Sequence, residues 1–298
     1  LHDIRGRIHA VGGIGGAVKI GDVSGGVSLQ GAIEGELVIR DVHGQVDVTE
    51  VAGSCKVEES EGTFRLNHIG GSLIARELRG ALYAERIGGE AKLHHLEAET
   101  TLGEVSGQLS LAQCVRPVRV GAVRGAARIG CHTDVTIGTI DGSLAVSRHE
   151  GNLVCERVSG HVTIAGVPAP DHSYRVTTSA GALLLVSEES DVELALTTEG
   201  GSIRCPLPLK NRFDDGHSVR GSLGTGGGKI DVRATGDIRV GPAEGGPSRD
   251  EADFGELGRL IGETVSRTVR SALGDMAGEG AASPVSYTHL RAHETGRN

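Results

Sequence analysis

From Ala17 onward the chain is written in a repeat of nine residues. ELVIRDVHG (36–44), QVDVTEVAG (45–53), TFRLNHIGG (63–71), SLIARELRG (72–80), ALYAERIGG (81–89), ETTLGEVSG (99–107), SLAVSRHEG (143–151) and NLVCERVSG (152–160) share one pattern: polar, apolar, polar, apolar, two polar, apolar, polar, Gly. Such units run to Ala169, one with an extra residue (26–35) and one lacking a residue (126–133). No other feature restricts the fold so sharply, because self-similarity at a short period requires a repeat architecture.

Positions two and four of each unit are two apart, so their side chains leave the same face of a strand. Position seven is three further on. The backbone must bend before it to aim Val51 or Ile69 back inward. Glycine at position nine then serves a turn needing positive φ or a crowded approach that other residues resist. A helix is opposed by glycine every nine residues and by β-branched enrichment. One strand and one corner cannot bury an apolar face alone, so the units must stack and share edges. The expected fold is all-β, a single-stranded parallel β-solenoid spanning 1–169. Two units per turn give a flattened roll of about eight coils, roughly 40 Å long at ~4.8 Å per coil. Three per turn give a triangular prism. The spacing is compatible with both.

Stacking places like positions on top of one another. Position two (Val18, Val27, Leu37, Val46, Cys55, Phe64, Leu73, Leu82) forms the inner apolar ladder. Position three (Lys19, Ser28, Val38, Asp47, Lys56, Arg65, Ile74, Tyr83), taken unit by unit, mixes charge signs, so no single-sign stripe for a charged polymer is expected. Deletion of one whole unit, such as 72–80, is expected to be tolerated better than loss of five residues from it.

Composition agrees. Of 298 residues 48 are Gly, there is no Trp, and only three Tyr and three Phe, against a usual Gly share of ~7 %. The formal net charge of −9 argues against nucleic acid as partner, since phosphate binding needs a Lys/Arg excess. No stretch approaches the ~18 apolar residues of a membrane span.

After Pro168 and Pro170 the nine-residue beat stops. Strand-like segments continue as SYRVTT (173–178), ALLLV (182–186), DVELALTT (191–198), GSIRC (201–205), KIDVRA (229–234) and GDIRV (236–240), with the longest loop at Asn211–Gly216. Residues 170–241 are therefore expected to continue or cap the solenoid. Residues 242–250 read as a linker. The stretch 251–278 reads as an amphipathic helix, with Phe254, Leu257, Ile261, Val265, Val269, Ala272 and Met276 on one face. That helix either lies back as a cap or self-associates through 251–276. The string VSYTHLRAHET (285–295) reads as translated sequencing adapter, so 285–298 is left out of the fold. The chain starts at Leu1, and a leader or anchor upstream would not be visible in it.

Residues 197–240, TTEGGSIRCPLPLKNRFDDGHSVRGSLGTGGGKIDVRATGDIRV, carry a resemblance. Gly200–Leu209, Gly221–Ile230 and Thr235–Val240 look like the C-terminal signature of a bacterial family of β-strand-repeat adhesin-like domains of unknown function, related to the GIN-type adhesin heads. With the upstream "G-x-v-x-i" units, the likeness covers roughly 4–241. It implies a β-solenoid without known catalysis, often at or near the bacterial envelope, whose partner is a protein or envelope component.

The chemistry-bearing residues point the same way. Cys55, Cys155 and Cys114 fall on positions two, four and seven and are expected in the core. With five cysteines in all, adding Cys131 and Cys205, and no CxxC, neither a disulfide framework nor a zinc site is indicated, although one pair bridging stacked coils remains open. Positions five and six lack the regular Asp of calcium-binding β-rolls. GSLGTGGGKI (221–230) and GGIGG (12–16) lack phosphate-loop spacing and a following helix. His94 and His95, adjacent on a strand, face opposite ways and are poor joint ligands. Asp214-Asp215 is the sole adjacent Asp pair and has no aromatic platform for sugar stacking. No catalytic, cofactor or metal residue is assigned. The expected function is non-enzymatic presentation of an interaction surface. The alternatives are a scaffold that self-assembles end to end in the manner of bactofilin-type solenoids, and a glycan-active β-helix enzyme.

Overall fold

The computed structural model describes residues 1–242; the expected helix over 251–278 and the rest of the C-terminal segment lie outside the described residues. Every regular element among them is a strand: β1 (Ile8–Val11), β2 (Val18–Ile20), β3 (Val27–Ile33), β4 (Leu37–Arg40), β5 (Val46–Val51), β6 (Cys55–Ser60), β7 (Phe64–Ile69), β8 (Leu73–Leu78), β9 (Leu82–Ile87) and β10 (Ala91–Leu96). The series continues with β11 (Thr100–Val105), β12 (Leu109–Ala112), β13 (Val118–Val123), β14 (Ala127–Gly130), β15 (Val135–Ile140), β16 (Leu144–Ser147), β17 (Leu153–Val158) and β18 (Val162–Ala165). It closes with β19 (Ser173–Thr178), β20 (Ala182–Leu185), β21 (Val192–Thr198), β22 (Ile203–Arg204), β23 (Lys210–Asp214), β24 (Ser218–Leu223), β25 (Gly228–Ala234) and β26 (Ile238–Gly241).

Odd strands β1 to β19 pair in parallel, each with the next, in one sheet, and even strands β2 to β20 do so in a second. The partner of Val46 is Phe64, that of Phe64 is Leu82, and that of Leu82 is Thr100, a constant step of 18 residues. Two units therefore make one turn, and the protein is a parallel β-solenoid of ten regular rungs per sheet. Positions two, four and seven point inward from both sheets: Val46, Val48 and Val51 are 0–3 % exposed. The interior is aliphatic almost throughout, with Phe64 and Tyr174 its largest side chains.

The two irregular units mark where the register changes. In β3 the partner step is 19 at Leu29↔Val48 and 18 at Ala32↔Glu50. The extra residue is absorbed at Gly31 (φ +135°), where a Cβ would sit 2.4 Å from the Gly12 carbonyl oxygen. The short unit changes the step from 18 at Leu111↔Ile129 to 17 at Val118↔Val135.

Glycine at position nine serves crowding, not positive φ. None of these glycines has a left-handed backbone. At the corner after each odd strand, the N–H of Gly71 bonds to the carbonyl of Gly53, that of Gly89 to Gly71, that of Gly107 to Gly89, and so on to Gly160, at 2.8–3.1 Å. At the corner after the even strands the approach is tighter still. A Cβ on Gly62 would lie 1.6 Å from the Gly44 carbonyl oxygen, and one on Gly80 1.5 Å from that of Gly62.

In the regular array left-handed non-glycine residues occur at position six instead, in the units of the second sheet. Asp22, Asp41, Glu59, Glu77, His95 and Gln113 stack there, one per rung, at φ 50–54°. L-residues visit this region reluctantly, Asp least so. The column resumes at Arg148 and Gly166. The rung it skips belongs to 126–133, where position five (Gly130) is followed directly by position seven (Cys131). The residue missing from that unit is the left-handed one.

The C-terminal part differs from the expected succession. The coil β25–β26, last in the chain, lies between the β19–β20 rung and strands β21 and β22. The polar run expected as the longest loop contains a strand: β23 pairs antiparallel with β24, and β24 antiparallel with β21. This hairpin ends the first sheet with an antiparallel edge whose five residues are all exposed. Asp191 secures the Leu223–Gly228 turn by accepting from the Thr225 N–H and hydroxyl and from the Gly226 N–H at 2.5–2.7 Å. The glycine-rich run 221–230 is thus a strand, a turn and the start of the next strand.

A two-unit turn corrects the deletion expectation. Removing 72–80 alone would move every later unit to the opposite sheet and put unsuited residues in the left-handed column. Removing the 18 residues 72–89 is expected to leave a cooperative urea transition, whereas removing 72–80 is expected to abolish it. In the same assay Gly62→Ala is expected to cost more than ~2 kcal/mol, and Gly16→Ala, where a Cβ meets nothing within 4 Å, to stay within ~0.5 kcal/mol. Val48→Asp, which buries an unpaired carboxylate, is expected to cost several kcal/mol; a wild-type-like midpoint would place Val48 outside the core.

Candidate functional site

Two units per turn sort the outward residues into separate columns. Position three of the first sheet carries Asp47, Arg65, Tyr83, Thr101, Arg119 and Thr136, which is mixed. The second sheet is different. Its outward positions three and five hold Lys19 on β2, Arg40 on β4, Lys56 on β6, Arg76 on β8 and Lys92 on β10, one cation on each of five successive strands, followed by Arg128 on β14. The cations alternate between the two positions and climb the face at ~4.8 Å per rung. The sole carboxylate at positions three and five of these strands is Glu58. The expectation that no single-sign stripe exists holds for the units read in succession and fails for the second sheet read alone.

Partners divide this column into two classes. Glu58, 7 % exposed, takes Arg40 at 2.6 Å and Lys56 at 2.8 Å. Burial pushes its carboxyl up, but the hydrogen bonds and charges of Lys56 and Arg40 outweigh burial and hold it below its ordinary 4.5. Lys92 pairs with Glu90 at 2.9 Å. Lys19, Arg76 and Arg128 have no ion pair among the described residues.

Beside the basic column runs an acidic one, Asp22, Asp41, Glu59 and Glu77, carried by the left-handed residues of the same rungs. Around the corner, position eight forms an alternating ladder. Glu61 stands 3.7 Å from His43 and 2.8 Å from Arg79, and Arg79 reaches Glu97 at 3.7 Å, with His95 3.4 Å from Glu97. His132 and Glu150 repeat the arrangement at 2.9 Å. Exposed pairs of this kind contribute ~0–1 kcal/mol each, so their consequence is a striped surface more than a stabilised fold.

The other residues of chemical interest are accounted for one by one. All five cysteines are buried and free, with burial pushing the Cys55 and Cys155 thiols up to about 12. His94 and His95 are exposed at positions five and six. Burial, then the neighbouring His95, holds His94 below the usual imidazole range. Asp214 bonds to Arg212 at 2.8 Å and accepts the Gly216 N–H; Asp215 accepts the N–H groups of His217 and Ser218. Both carboxylates thus serve the tip of the β23–β24 hairpin. Among the described residues no group of three His, Cys, Asp or Glu is arranged to hold a metal, and no helix is long and apolar enough to cross a membrane. Comparison with protein-family models, with curated proteins and with solved structures returns no match.

Glu58→Gln tests the electrostatics of the stripe. Its carboxyl titrates lower in the folded chain than in the unfolded one, so its contribution is present above the unfolded value and is lost as pH falls through the folded one. The variant is expected to be less stable near pH 7 by on the order of 1 kcal/mol and to approach wild type at acid pH, as the Glu58 carboxyl protonates in the folded chain. An equal deficit at both would assign the loss to packing.

Proposed function

We propose that this chain is a non-catalytic β-solenoid that presents the striped outer face of its second sheet to a protein or cell-envelope component. The observation that carries the reading is the run of one outward cation per strand from β2 to β10 in a chain of net charge −9. A local basic column on an acidic molecule steers and orients a partner, where overall charge would repel it. Flanking acids on the same rungs confine that attraction to a strip, since charges are screened beyond ~8 Å at physiological ionic strength. The three cations without ion pairs, Lys19, Arg76 and Arg128, need no internal pair broken on binding. The occupied carboxylates of Asp214 and Asp215 support a binding role over glycan cleavage. The antiparallel, fully exposed β23 at one end of the first sheet supports a discrete module over end-to-end growth through that end, since such edges resist continued pairing.

Co-sedimentation with isolated bacterial envelopes tests the reading. Wild-type protein is expected to pellet and to be released by added salt. Lys19→Glu/Arg76→Glu/Arg128→Glu is expected to weaken binding at least ~10-fold, whereas the equally charged Arg65→Glu/Arg119→Glu/Arg175→Glu on the other sheet is expected to bind like wild type. Equal behaviour of the two variants would overturn the assignment of the face.

A further inference from the structure

At the corner following the second sheet, position seven of successive rungs is occupied by Leu96, Cys114, Cys131 and His149. Cys114 and Cys131 are 0 % exposed. Their backbones are neighbours in the ladder: Gln113 N–H bonds to the Gly130 carbonyl at 3.0 Å, and His132 N–H to the Cys114 carbonyl at 3.1 Å. Adjacent rungs stand ~4.8 Å apart, inside the ~4.4–6.8 Å Cα separation that a disulfide spans. Cys114 Sγ donates to the Ala112 carbonyl at 3.7 Å within the same buried corner, and the interaction between the two neighbouring thiols pushes Cys114 up and lowers Cys131. One rung further, His149 is 3 % exposed and its Nδ1 is buried with no hydrogen-bond partner.

This pair also sits where the unit 126–133 lacks its left-handed residue, so Cys131 follows Gly130 directly. Cys55 and Cys155 offer no comparable partner. They lie on different sheets, and their positions in the adjacent rungs are Leu37 and Leu73, and Ile137 and Val176.

We propose that Cys114 and Cys131 are an oxidisable pair that forms an intramolecular disulfide joining consecutive coils, with hydrogen peroxide as the oxidant. Cys131, as thiolate, attacks one peroxide oxygen. The O–O bond breaks, a Cys131 sulfenic acid forms, and the departing hydroxide takes up the proton that Cys131 released, giving water. Cys114 sulfur then attacks the sulfenic sulfur, the S–S bond forms, and the expelled hydroxide leaves as a second water with the Cys114 proton. Two thiols are oxidised and one peroxide is reduced to two waters. A molecule as small as hydrogen peroxide reaches the pair through local opening of the corner.

Peptide mapping of the full chain decides it. Trypsin separates the two cysteines, because Cys114 falls in 93–119 and Cys131 in 129–148. After hydrogen peroxide treatment and alkylation, a linked 93–119/129–148 species lighter by two hydrogens than its separate halves is expected, and dithiothreitol should resolve it. Wild-type protein alone gives this readout, so it does not depend on a variant folding. Cys114→Ala should remove the link, while Cys155→Ala should leave it in place. Recovery of both cysteines as alkylated thiols, their conversion to sulfinic acids without a link, or a link from Cys131 to another cysteine would overturn the proposal.

Discussion

Each rung of this protein is tied to the next by a ladder of backbone hydrogen bonds, most of whose paired residues in the nonapeptide array are 18 apart, and the rest of the structure depends on how closely those rungs approach. A parallel ladder satisfies the N–H and C=O groups that a buried strand cannot leave unpaired. In a solenoid the corners must keep the same spacing as the strands, or the ladder would fan apart. Glycine is what the corners use. From Gly53 to Gly160 the ladder runs through the corner itself, one glycine bonding to the next, and a side chain there would intrude on the carbonyl of the coil beside it. The glycine content thus reflects stacking distance more than chain reversal.

Much of this architecture is legible from the repeat. Inward positions two, four and seven follow from the two-residue period of a strand and one bend, and Val46, Val48 and Val51 obey it. The number of units per turn is not legible, because both sheets use the same apolar pattern and the distinction lies in which unit stacks on which. Everything that depends on that number was hidden with it. The basic column of the second sheet is diluted when Lys19, Ser28, Val38 and Asp47 are read in succession, and it emerges when alternate units are taken. The left-handed column was hidden for another reason. Position six is merely polar in both kinds of unit, and Glu50 and Glu59 look equivalent in sequence although only Glu59 adopts positive φ. Strand β23 reads as loop in the sequence because its residues alternate no apolar face; it lies at an edge, with all five residues exposed.

The polar residues of the interior show how far the apolar rule bends. Ser60 occupies position seven, yet its hydroxyl donates to the Glu58 carbonyl at 2.7 Å and accepts from the Val42 N–H. Thr178 and Thr198 likewise donate to the carbonyls of Gly160 and Gly236 at 2.8 Å. Each polar side chain substitutes for a missing backbone partner at a corner, which offsets its desolvation. His149 is satisfied on one side only: its Nε2 meets the Asn152 carbonyl at 3.3 Å, while its own carbonyl accepts the Tyr174 hydroxyl. Burial, despite the Asn152 and Cys131 carbonyls, holds its imidazole below the usual range. Tyr174 begins the rung after which the nonapeptide beat has ended, and its contact with His149, with ring centroids 5.5 Å apart, joins the regular array to the C-terminal coils.

A solenoid makes surface patterning almost independent of folding. Each outward side chain belongs to one rung and touches only its neighbours above and below, so charge can be changed along a column without disturbing the core. The second sheet shows what this permits. Its left-handed column is filled largely by polar residues, and Asp22, Asp41, Glu59 and Glu77 there lay down an acidic line. Strand positions three and five there carry no such left-handed backbone, and cations placed on them run parallel to that line. Backbone geometry therefore sets where one stripe lies and leaves the composition of the other free to vary.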